Sequence, residues 1–120
     1  MRYSKCVNID GVQSTTSVGT ANAANTITLS ASAGSRYRIY GYNCLITGAA
    51  TVNAVTLTLA IGGTTKWLDG VPIGKAIGDC VSKTFPCPLE ASAINTAVTL
   101  TAAAGGASVI TNLSILYDLV

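Results

Sequence analysis

Aliphatic and hydroxyl-bearing residues alternate over short stretches of this chain, and one such stretch nearly repeats. Residues 54–63, AVTLTLAIGG, match residues 97–106, AVTLTAAAGG, at eight of ten positions. A looser third copy, NTITLSASAG, spans residues 25–34. Successive side chains on a strand point to opposite faces, so each copy predicts a strand with one dry face and one hydroxyl face. Unequal spacing between the copies argues against a solenoid. Similar positions in a two-sheet sandwich would produce the echo.

Further strand signals recur at short intervals with Gly, Pro, Asn or Asp between them. Thr26 to Ser30 places Ile27 and Leu29 inward. In the segment from Ser35 to Gly48, Tyr37 and Ile39 share a face opposite Arg36 and Arg38. Beyond Gly41 the buried set changes phase to Tyr42, Cys44 and Ile46, as a bulge at that glycine would require. Val52 to Ile61 turns Val55, Leu57, Leu59 and Ile61 inward, and Gly62-Gly63 turns the chain into Thr64 to Leu68. Short segments follow around Val71 to Ile73 and Asp79 to Phe85, which Pro72, Pro86 and Pro88 confine to edges or loops. Ala97 to Ala103 places Val98 and Leu100 inward. Ser108 to Val120 closes with Val109, Leu113, Ile115, Tyr117 and Leu119 on one face.

No stretch sustains a 3.6-residue period of useful length. Seven to nine strands in one domain predict an all-β antiparallel sandwich, most simply a jelly roll. Residues 1–24, rich in Ser, Thr, Gly and Asn, predict an extended N-terminal arm, leaving residues 25–120 as the sandwich.

Composition narrows the function. Charged residues make up 10% of the 120-residue chain, against about 25% in an average soluble protein. Hydrophobic residues reach 49%, which excludes charge-driven disorder. No run is long and apolar enough for a membrane helix. Polar residues follow the basic N-terminus too soon for a signal peptide, which predicts synthesis in a cytosol without an export address. A net charge of +2, with the basic residues scattered, gives no footprint for nucleic acid. So sparse a charge suits a surface packed against other protein.

Catalytic chemistry is poorly provided for. The chain has no histidine, which removes the usual general base and the commonest transition-metal ligand. Asp10, Asp69, Asp79, Glu90 and Asp118 are the acids, and two of them could pair as glycosidase carboxylates. Asp69 and Asp79, however, adjoin glycines in ordinary turn positions. No calcium loop, P-loop or GxGxxG is present, so neither metal nor cofactor is expected. Cys6, Cys44, Cys80 and Cys87 lack the close pairs of a zinc site. In a cytosolic product free thiols packed as small hydrophobes are expected, and a Cys80–Cys87 bridge, which would staple the segment carrying Lys83 and Pro86, is the alternative. Trp67 with Tyr37, Tyr40, Tyr42 and Tyr117 could form a sugar-stacking platform, or could serve as core and interface aromatics.

From Asn25 onward the layout resembles small tailed-phage head decoration (cement) proteins and the jelly-roll domains of head fibres. The likeness lies in the order of parts: a short strand with an Ala/Ser/Gly turn, then the basic-aromatic strand Ser35-Arg36-Tyr37-Arg38-Ile39-Tyr40-Gly41-Tyr42. The Val52 to Gly63 strand and a Gly/Pro-rich middle follow. Leu89-Glu90-Ala91-Ser92-Ala93-Ile94-Asn95 and a terminal strand after Ala-Gly-Gly-Ala-Ser-Val complete it. The four cysteines are not part of that pattern. The resemblance implies a structural virion protein, not an enzyme, that clamps capsomers of a major capsid protein, often as a homotrimer, on particles assembled in the host cytoplasm. Arg2, Tyr3 and Lys5 of the arm are then expected to touch the capsid. The rival expectations are a carbohydrate- or receptor-binding sandwich of a fibre or adhesin, an enzyme, and a single-jelly-roll shell protein.

Overall fold

The computed structural model describes residues 12–120. Arg2, Tyr3, Lys5 and Cys6 lie outside the described residues. The described residues form eight strands: β1 (Gln13–Ser17), β2 (Asn25–Leu29), β3 (Tyr37–Thr47), β4 (Val55–Ile61), β5 (Thr64–Val71), β6 (Cys80–Glu90), β7 (Val98–Ala102) and β8 (Ile110–Leu119). They form two four-stranded sheets, ordered β1-β8-β3-β6 and β2-β7-β4-β5, and every pairing is antiparallel. That order is the eight-stranded jelly roll, and the described residues include no helix.

The three echoed segments are β2, β7 and β4, which are consecutive neighbours in one sheet. Their register aligns Thr26, Thr101 and Thr58 in one row on the outer face. The hydroxyls of Thr26 and Thr101 lie 3.2 Å apart. Their aliphatic partners Ile27, Leu100, Leu57 and Leu59 are buried. A shared place in one sheet, each strand dry inside and wet outside, accounts for the repetition.

Against this inner face lie Ile39, Tyr42, Cys44 and Ile46 of β3 and Leu113 and Ile115 of β8. The phase change in β3 is real: the register shifts between Ile39 and Gly41 against both neighbouring strands. Gly41 is required there, because an added Cβ would collide with the Lys83 carbonyl oxygen. The β4–β5 hairpin is a two-residue turn in which Gly62 and Gly63 have φ of 62° and 80°. Two positive values mark the turn whose twist matches the flanking strands.

Four expectations need correction. Residues 13–17, assigned to the arm, form β1 at the edge of a sheet. This strand has no large aliphatic residue to announce it. It is held by its ladder to β8 and by Asn25, whose amide donates to the carbonyls of Ser17 and Thr111 at 2.9 Å each. Residues 52–54 precede β4 rather than belonging to it. The strand expected around Asp79 to Phe85 runs on to Glu90 despite Pro86 and Pro88. It can do so because β6 is an edge strand and residues 85–88 loop out of register opposite Tyr40. Finally, Leu119 is 39% exposed, whereas Asp118 beside it is 5% exposed.

Candidate interaction surface

The four acids among the described residues do not converge on a reaction centre. Asp118 accepts from Arg38 Nε at 2.8 Å and Nη2 at 2.5 Å, and from the Tyr40 hydroxyl at 3.0 Å. Burial pushes its carboxyl up, but these hydrogen bonds and the guanidinium charge outweigh it and hold the group below the usual carboxylate range. Asp69 accepts from the Tyr42 hydroxyl at 2.7 Å. Burial, followed by that hydrogen bond and the Asp69 charge, pushes the phenol up. Glu90 pairs with Arg36 at 3.0 Å, both exposed. Asp10 lies outside the described residues. Among the described residues no group of three His, Cys, Asp or Glu could hold a metal ion.

The cysteines match the free-thiol expectation in part. Cys44 and Cys80 are free thiols, and Cys87 is disulfide-bonded. A Cys80–Cys87 bridge is therefore not formed. Cys80 begins the edge strand β6 and is exposed, while Cys87 sits in the looped-out 85–88 segment. Cys44 is buried, and burial with the nearby Cys80 pushes its thiol up to about 11.

Nor do the aromatic rings form an exposed platform. Tyr37, Tyr40 and Tyr42 are each at most 7% exposed. Trp67 packs edge-on against Phe85, with ring centroids 5.1 Å apart, and the Lys83 ammonium lies 5.1 Å from the indole. Trp67, Phe85, Tyr42 and Asp69 close the β5–β6 side of the sandwich.

What the fold does assemble is an end face. The β1–β2, β3–β4, β5–β6 and β7–β8 connections emerge together at one end, as alternation in a jelly roll demands. Backbone hydrogen bonds lace them: Asn22 N to Val109 O, Val52 N and Asn53 N to Gly105 O, and Thr51 N to Lys75 O, all 2.9–3.0 Å. Thr51, buried at 3% exposure, donates its hydroxyl to Pro72 O at 2.7 Å and accepts from Lys75 N at 2.8 Å. Loops held this way present fixed shapes rather than adaptable ones.

On that laced end stand Val18, Val52, Ile73 and Ile77, between 57% and 81% exposed. The four connections contain just two charged residues, Lys75 and Asp79, and otherwise much Ala and Gly. Apolar, rigid and nearly chargeless is the composition of the dry centre of a protein interface. Sequence reading missed this surface because no single loop shows it. The topology gathers it from four separate places.

No known protein-family profile matches the chain, and neither does any curated protein. Among solved structures the fold is similar to part of an exo-β-1,3-galactanase from Phanerochaete chrysosporium, crystallised with β-1,3-galactotriose. The identity is 15% and the TM-score 0.38, and the match covers 88% of this chain and 26% of that one. So distant a likeness transfers nothing of the enzyme's activity.

Proposed function

We propose that this chain is a structural virion protein of a tailed phage that attaches to the outside of the capsid and clamps neighbouring capsomers, acting as a homotrimer. The observation that carries the reading is the laced loop end, with Val18, Val52, Ile73 and Ile77 exposed on braced backbone. Burying these side chains against a major capsid protein removes apolar surface from water without stripping solvent from charges. A protein that binds the assembled lattice and not its free subunits stabilises the lattice by mass action. The layout resemblance from Asn25 onward supports the same reading. Arg2, Tyr3 and Lys5 remain its proposed arm contacts.

The test is occupancy on purified capsids lacking their decoration protein, read by gel band ratio and electron microscopy. Wild-type chain should saturate defined surface positions and raise the temperature at which the capsids rupture. A variant carrying Ile73→Asp and Ile77→Asp should stay folded and lose occupancy. Wild-type chain that leaves capsids bare, or a double variant that binds as well as wild type, refutes the assignment.

A further inference from the structure

The outer face of the β1-β8-β3-β6 sheet differs in kind from the threonine face of the other sheet. The register places Asn43, Leu45 and Thr47 of β3 beside Ser114, Asn112 and Ile110 of β8. Ser114 in turn faces Thr16 of β1, and Leu45 faces Cys80 of β6. Leu45 sits half-buried in a shallow depression of about 410 Å³ walled by Thr16, Val18, Thr47, Asn112 and Ser114. The Asn112 amide already donates to Leu45 O at 3.2 Å and to Thr47 Oγ1 at 2.8 Å, so the depression has a fixed floor. Leu116, next along β8, is 41% exposed. The charges on this face, Arg36, Arg38, Glu90 and Asp118, cluster at the end away from the loops and neutralise each other in two pairs, Arg38 with Asp118 and Arg36 with Glu90.

We propose that copies of this chain associate through this face, centred on Leu45 and Ser114. The number of copies rests on the trimeric reading above and the choice of face does not: a two-fold pair would use this face isologously, and a trimer would turn it toward the three-fold axis, where each copy meets two neighbours. Two arguments select a second copy as the occupant. The first is charge: hydroxyls and amides are donors and acceptors at once, so the face can satisfy a copy of itself, with no unpaired charge on either side. The second is area. Four strands about 4.8 Å apart, three of them about ten residues long, give on the order of 600 Å² of flat face. Side-chain relief brings that towards the ~800 Å² per partner of a standard stable interface. The β2-β7-β4-β5 sheet has shorter strands, and its outer rows are mainly threonine hydroxyls that water satisfies equally well, with Leu68 standing alone on the edge strand beyond Thr58.

Sedimentation velocity on the full chain, from about 10 μM to about 1 mM, tests the face. Wild type should sediment as a multiple of the 12.1 kDa chain. Leu45→Glu and Ser114→Arg should weaken association at least tenfold, about 1.4 kcal/mol or more. Thr101→Arg on the opposite sheet should leave it unchanged. Cys80 supplies a second readout, because its free thiol faces the same surface. Its alkylation should slow as wild type associates, and should not slow with Ser114→Arg, which keeps the native circular dichroism spectrum even if Leu45→Glu does not fold. A monomer at about 1 mM, or association that survives Ser114→Arg and fails with Thr101→Arg, overturns the proposal. Monomers that still decorate capsids would sink this face and spare the attachment reading. Oligomers that ignore capsids would do the reverse.

Discussion

Asp118→Asn isolates the contribution of the ion pair on the sheet face. The wild-type carboxylate is 5% exposed and takes hydrogen bonds from Arg38 and Tyr40. The amide keeps the shape, removes the charge and turns an N–H toward one of those donors. Breaking one partner of a fully buried pair costs about 3–5 kcal/mol. The Arg38 side chain keeps 18% of its exposure, so solvent screens part of the loss and about 2–3 kcal/mol is expected. In a domain of this size that lowers Tm by roughly 10 °C. The pH dependence follows from the depressed carboxyl. Its stabilisation is complete above the unfolded value of about 3.9 and is lost as pH falls through that value toward the lower folded one. Urea unfolding of wild type and variant, at one protein concentration, should show the gap at pH 7 and a smaller gap near pH 3. A gap under about 0.5 kcal/mol at pH 7, or one of equal size at both pH values, refutes the reasoning.

Three further outcomes are expected. Gly41→Ala should cost more than about 2 kcal/mol by chemical denaturation, because rigid backbone occupies the space; Gly70→Ala, with nothing nearer than the Val55 carbonyl oxygen at 3.8 Å, should stay within about 0.5 kcal/mol. Thr51→Val keeps the volume but deletes both loop-lacing hydrogen bonds, which should cost about 1–3 kcal/mol and speed amide exchange at Lys75. Under native conditions a maleimide should label Cys80 and leave Cys44 unmodified until the chain unfolds, as peptide mapping by mass spectrometry would show.

Much of the sandwich was legible because alternation is a local signal. Val55 to Ile61 and Val98 to Ala102 declare their faces within a few residues, and the phase change at Gly41 locates a bulge. Elements stabilised from afar were silent. β1 is written entirely in Gln, Ser and Thr and becomes a strand because β8 offers it a ladder. Asp118 reads as one more terminal acid until the fold sets Arg38 and Tyr40 beside it, 80 and 78 residues away in sequence. The loop end was hidden in the same manner, since its four aliphatics come from three connections spread over residues 18–77. The cysteines were legible in part: Cys44 is the buried free thiol expected, whereas spacing alone could not show that Cys87 is bridged while Cys80 stays free.

The strand order also dictates a timetable. β8 is the inner neighbour of both β1 and β3, and β7 fills the same position between β2 and β4. During translation the β4–β5 hairpin and the β3–β6 pair can form early, but β1 and β2 have no partner until the last two strands leave the ribosome. Nascent chains should therefore carry two unclosed sheets with open edges late into synthesis, when threonine-rich segments from different chains could pair wrongly. Slowing translation over residues 98–119 would lengthen that exposure, and the yield of soluble protein would fall with it.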